Sequence, residues 1–158
     1  MLTQSEQEFI QVRTKKLETL LELGIDPYPS KFNRSHSSRE AVEYFLQCEK
    51  DSVEPTKEIS IAGRIMSRRV MGKASFLDIR DGSGRIQVMM RSNILGDNYD
   101  ILDNLDIGDW IGVKGTLFRT RTEEITLQTN DFTILCKSLR PLPEKWHGLT
   151  DVETRYRQ

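Results

Sequence analysis

A mainly β, five-stranded barrel behind a helical N-terminal extension is the fold class this sequence predicts, on two observations. Apolar residues recur at helical spacing in the first third of the chain and at a spacing of two from residue 58 onward. After that change come three alternating segments, one segment that breaks the alternation, and two more alternating segments.

Residues 5–23 read as a helix, with Ile10, Leu17, Leu20 and Leu21 at helical spacing and Arg13, Lys15 and Lys16 between them. Gly24 ends it, and Pro27 and Pro29 force an extended exit. A second helix starts at Ser37, because in Ser37-x-x-Glu40 each side chain can cap the other residue's backbone N–H. Ala41, Val42, Phe45 and Leu46 share one of its faces, and the charged run 49–57, with Pro55, reads as a linker. EISIAGRIMSR is a first strand, with Ile59, Ile61 and Ile65 on one face. SFLDIRD and RIQVMM are the second and third, joined by the turn Asp81-Gly82-Ser83-Gly84. Ile94, Leu95, Ile101, Leu102 and Leu105 suggest a short helix within 94–106. WIGVKGTLF and EITLQTNDFTIL supply strands four and five around the polar tip RTRTE. Three strands, a short helix and two strands is the order of an OB-fold barrel. The implied division is a helical extension and linker over 1–57, the barrel over 58–138, and a proline-punctuated connector over 139–158.

Composition narrows the class further. With 37% hydrophobic and 30% charged residues the chain suits a globular domain rather than a disordered one. No apolar run approaches the ~18–20 residues of a membrane span. MLTQSEQEF lacks the basic start and apolar stretch of a signal peptide, so a cytoplasmic protein without a membrane partner is expected. Cys48 and Cys136, 88 positions apart, form no CxxC pair and the only histidines are His36 and His147, so a four-ligand zinc site is hard to assemble. Both cysteines are expected to be reduced. The formal net charge of −1 hides a segregation: residues 58–91 carry +4 and residues 92–115 carry −4. A polarised chain of this kind can draw phosphates to one side, although two solvated surfaces would look the same.

Strand alternation places individual side chains, because successive residues face opposite sides of a sheet. Leu77 and Ile79 belong to the core, which turns Phe76, Asp78 and Arg80 outward. Ile86, Val88 and Met90 point inward, and Arg85, Gln87, Met89 and Arg91 outward. Ile125 and Leu127 go in, Glu124, Thr126 and Gln128 go out, and Arg64 also counts outward. An aromatic, amides, arginines and a carboxylate then share one surface. Unpaired bases stack on aromatic rings, worth roughly 1–3 kcal/mol each. Amides and carboxylates read the exposed base edges, and arginines neutralise phosphates. OB-folds bind on the strand 2–3 face and the loops between strands 1–2 and 4–5. Those loops, SRRVMGKA and FRTRTEE, bring Arg68, Lys73, Arg119 and Arg121. The plainer alternatives are a Phe76 covered by a neighbouring helix and a merely solvated Gln87.

At this point the chain resembles a known family, the N-terminal part of class II lysyl-tRNA synthetases. The matching pieces are KKLETLLELGIDPYP, GRIMSRRVMGKASFLDIRDGSGRIQV, VKGTLFRTRTEEITL and LRPLPEKWHGLTDVETRYRQ. Aspartyl and asparaginyl synthetases share the F-x-D-x-R-D strand, whereas GIDPYP and the exit look specific to the lysyl branch. The resemblance implies that Arg69, Phe76 and Gln87 contact the anticodon and that Glu124 reads a uridine of it. Arg68 is adjacent to Arg69 and open to the same role, and Glu123 stands where a glycine often precedes the family's acid. Further RNA contacts are expected from Arg64, Arg68, Lys73, Arg119 and Arg121, and along the first helix from Arg13 and Lys16, for which a solvated helix face is the alternative. The partner implied is lysine tRNA, bound through its anticodon stem-loop. The family's catalytic motifs, an F-R-x-E pair and a G-x-G-x-x-R stretch, do not occur in these residues, nor does a phosphate-cradling P-loop. ATP and Mg2+ are therefore expected for the full-length enzyme, a homodimer in this family, with no cofactor in this part, which should be inactive alone. The rival readings are a non-specific single-strand binder, a protein-interaction module anchored by Phe76, and an aspartyl- or asparaginyl-type anticodon domain.

Overall fold

The computed structural model describes residues 3–25 and 32–138. The Pro27–Pro29 exit and the connector 139–158 lie outside the described residues.

Helix α1, Gln4–Glu22, is opened by a reciprocal Thr3/Glu6 capping box, and α2, Ser38–Lys50, by the expected Ser37/Glu40 box. Each box satisfies two N–H groups that a helix start leaves without a partner. Ala41, Phe45 and Cys48 of α2 are buried, whereas Leu46 is 45% exposed. On α1, Leu20 is buried but Leu21 is 56% exposed; the helix turns Arg13 inward instead, at 5%.

The strands are β1 (Ile59–Met71), β2 (Ala74–Asp81), β3 (Gly84–Arg91), β4 (Trp110–Arg119) and β5 (Ile125–Cys136). Between β3 and β4 stand a short helix α3, Ser92–Leu95, and a 310 segment, Gly96–Asn104. The strands close into a barrel in the order β1-β2-β3-β5-β4, with β4 returning to β1. Only the β3–β5 pairing is parallel. Closure gives each of the five strands a neighbour on both sides. Ile61, Leu77, Val88, Val113 and Leu127 fill the interior from all five strands, each at most 1% exposed. Gly115 permits the tight β4–β5 crossing, since a Cβ there would lie 1.8 Å from the Gln128 carbonyl oxygen.

Two polar clasps fix the helices to this barrel. The Asp81 carboxylate accepts from Ser38 N and Ser38 Oγ, both at 2.8 Å, and from Ser83 N at 2.8 Å and Gly84 N at 3.1 Å. One side chain thus ties the start of α2 to the β2–β3 turn. Burial alone would raise its pKa, but the hydrogen bonds from Ser83 and Ser38 outweigh that and hold it below the ordinary value. At the far end of α2, Arg119 grips Glu49 through two bonds of 2.6 and 2.8 Å.

The second clasp holds α1. Arg13 donates to the Ile107 carbonyl at 2.8 Å and the Ser138 carbonyl at 3.1 Å, and Lys16 reaches Asp106 at 2.7 Å. Lys137, just past β5, bridges Asp106 at 2.6 Å and Asp109 at 2.8 Å with its side chain fully buried. Burial pushes the Asp109 carboxyl up despite Lys137, while Asp106, raised by burial, is brought below its ordinary value by Lys137 and Lys16. Part of the acidic run 92–115 is therefore an internal counter-charge for α1 and the end of β5.

Candidate nucleic-acid interface

The site begins with one extra residue. In the β1–β2 pairing Ile65 faces Ile79, but the next pair is Ser67 with Asp78, so Met66 is a bulge. A bulge shifts the side-chain alternation by one. Past Met66, Arg69 stands opposite outward Phe76 and Arg68 opposite inward Leu77. Arg68 accordingly turns away and donates to the Leu102 carbonyl at 2.6 Å. Of the two adjacent arginines, Arg69 is the one that reaches the outward face.

There Arg69, Phe76 and Gln87 lie together. The Arg69 guanidinium carbon is 5.6 Å from the centre of the Phe76 ring, within cation–π range. Its Nη2 donates to Gln87 Oε1 at 3.1 Å. Gln87 Nε2 donates to Thr126 Oγ1 at 2.9 Å, across the parallel β3–β5 pairing that sets Gln87 beside Thr126. The half-buried Phe76 sits between Arg69 of β1 and Met89 of β3. A second group flanks this one. Arg85 binds Asp78 at 3.0 Å and Glu124 at 3.5 Å, and Ser67 Oγ donates to Asp78 at 3.0 Å. An aromatic ring, an amide, a guanidinium and a carboxylate are thus presented side by side.

The other expected contacts fall elsewhere. Lys73 is exposed in the turn between β1 and β2, and Arg121 is exposed at the β4–β5 tip. SRRVMGKA is mostly strand rather than loop: β1 runs to Met71 and only Gly72 and Lys73 lie outside the strands, with Gly72 at φ +63°. Arg119 is held by Glu49 and donates to the Glu123 carbonyl at 2.7 Å. Arg64 counts outward, yet it is 8% exposed and packs 5.3 Å from the Trp110 ring. Arg13 and Lys16 belong to the α1 clasp rather than to a solvated helix face. Gln87 and Met89, counted outward, are 7% and 3% exposed, so the face is a partly closed surface. Thr126, Arg85 and Asp78 were legible as outward-facing residues, but the sequence held no sign of their mutual bonds.

A closed five-stranded barrel with an aromatic, an amide and arginines on its β2–β3 face is the design of an OB-fold nucleic-acid-binding domain. Residues 59–135 match the family model described as OB-fold nucleic acid binding domain. Over almost its whole length the chain is similar to lysine–tRNA ligases, as its sequence motifs suggested. It is 51% identical over 152 residues to the lysine–tRNA ligase of Pelotomaculum thermopropionicum, covering 96% of this chain and 29% of that protein. The lysine–tRNA ligase of Carboxydothermus hydrogenoformans is 53% identical over 152 residues, covering 96% of this chain and 30% of the relative. That of Oceanobacillus iheyensis is 46% identical over 153 residues, covering 96% and 31%. The chain thus spans about 30% of the length of these curated relatives.

Proposed function

We propose that this chain is the anticodon-binding region of a lysine–tRNA ligase and that the Arg69–Phe76–Gln87 group receives the central uridine of the lysine anticodon. The juxtaposition of these three side chains, made by the Met66 bulge, carries the reading. The uracil ring stacks on Phe76 and loses water on doing so. Gln87 faces its Watson–Crick edge, which only an unpaired base presents. Glu124, steadied by Arg85, accepts from a neighbouring uridine, while Arg69, Lys73 and Arg121 neutralise flanking phosphates.

In this reading the chain is the N-terminal part of a class II enzyme, cytoplasmic and homodimeric when complete, that attaches lysine to its tRNA with ATP and Mg2+. That chemistry belongs to a catalytic domain outside these residues. The face itself does not fit it: its carboxylates Asp78 and Glu124 are both engaged by Arg85, which leaves no oxygen cage for a cation.

Binding of the chain to a lysine-anticodon stem-loop tests the proposal. Phe76→Ala and Gln87→Ala are each expected to weaken binding by about 1–3 kcal/mol. Changing the central uridine should do the same. Equal affinity for all stem-loops, with only salt mattering, would instead make the barrel a generic single-strand binder.

A further inference from the structure

A glutamine amide is ambiguous as a reader, because its oxygen and nitrogen can exchange places by a flip of the terminal group. The two orientations read different bases. At ring positions 4 and 3, uracil offers an acceptor and then a donor, and cytosine a donor and then an acceptor. A fixed amide matches one of them; a flipped amide matches the other.

Here the orientation is set from both sides. A guanidinium only donates, so the Gln87 atom facing Arg69 Nη2 at 3.1 Å is the oxygen. On the other side stands Thr126, which is 0% exposed. Its hydroxyl donates to the Glu124 carbonyl at 3.1 Å, a group that can only accept. With its proton committed, Thr126 Oγ1 is an acceptor toward Gln87, and the atom facing it at 2.9 Å is the nitrogen. A flip would put N–H against N–H at Arg69. It would also set lone pair against lone pair at Thr126, unless the hydroxyl abandoned Glu124. Gln87 keeps one N–H and one lone pair for a base.

We propose that Thr126 is a positioning residue that fixes the orientation of the Gln87 amide and thereby selects uracil over cytosine for the base stacked on Phe76. The proposal rests on the anticodon reading above and adds to it the device that makes one amide specific. It also explains why a hydroxyl residue is buried at this point of β5, where a valine would satisfy strand propensity equally well.

The test compares binding of the chain to the lysine-anticodon stem-loop and to the same stem-loop with a central cytidine. Wild type is expected to prefer uridine by about 5- to 150-fold, the range of one bidentate pair. Thr126→Val, which removes the hydroxyl and keeps the shape, should cut that ratio at least about threefold, and Thr126→Ser should restore it. A merely structural role would lower both affinities together and leave the ratio alone. If the valine variant unfolds, Thr126→Ala removes the same hydroxyl and reads the same ratio. A wild-type preference that the hydroxyl-free variant retains overturns the role of Thr126 and leaves the anticodon reading standing. No preference in wild type overturns both.

Discussion

At the scale of single residues, the face depends on side chains that bind one another before they bind anything else. Gln87 is 7% exposed and bonded on both sides, so under the proposed function it would meet a base already oriented and lose little side-chain entropy in doing so. Arg69 has two tasks, carrying positive charge and holding the Gln87 oxygen. Arg69→Lys should therefore weaken uridine discrimination as well as affinity, since an ammonium lacks the planar fork; stem-loop titrations with the two central bases would report it. Gly115 is a residue of a different kind. A Cβ there would meet the Gln128 backbone rather than a movable side chain, so Gly115→Ala should cost about 2–3 kcal/mol in urea unfolding. The sequence alone marked Phe76, Gln87 and Glu124 as outward because a strand's period of two is strict. It left Arg68 and Arg69 undecided, because the Met66 bulge that separates them has no signature in residue type.

At the scale of elements, the helices are attached to the barrel by charge and hydrogen bonds as much as by apolar packing. Asp81 serves α2. Its folded-state pKa lies below the unfolded value, so the folded protein binds fewer protons there. Its contribution is complete above the unfolded carboxylate pKa of about 3.9 and disappears as the pH falls through the lower folded value. The stability gap between wild type and Asp81→Asn should thus be largest near neutrality and shrink in acid, as unfolding followed across pH will show. Lys137 serves α1 with a fully buried ammonium between Asp106 and Asp109. Lys137→Met should destabilise the protein by about 3 kcal/mol, because it takes the ammonium away from the buried Asp109 carboxylate, while Asp106 keeps Lys16. Element order and both helices were legible from periodicity, and Ser37-x-x-Glu40 announced its own cap. The clasps were not legible: Arg13 and Lys16 look like solvent-facing charges on a helix until residues 106–109 and 137–138 are brought against them. The loop expected at SRRVMGKA became a hairpin for a related reason, since pairing with β2 decides where β1 ends.

At the scale of the whole molecule, a near-neutral chain keeps charge of both signs by dividing its use. Part of the acid between residues 92 and 115 turns to the α1 clasp, while Lys73 and Arg121 stay exposed in the β1–β2 turn and at the β4–β5 tip. Binding to RNA should accordingly weaken with salt, and removing Lys73 or Arg121 should reduce the slope of log K against log salt by about 0.7 each. Neither change should alter which central base is preferred. The claim that the outward β1–β2–β3–β5 face receives the anticodon is tested most directly by mapping, with backbone and side-chain amide resonances, where a lysine-anticodon stem-loop touches the labelled chain. Perturbations centred on Arg69, Phe76, Gln87, Glu124 and Thr126, and requiring more stem-loop to reach when the central base is changed, are the result predicted here. Perturbations confined to α1 or to the 310 segment, or spread evenly over the basic surface whatever the loop sequence, would contradict it.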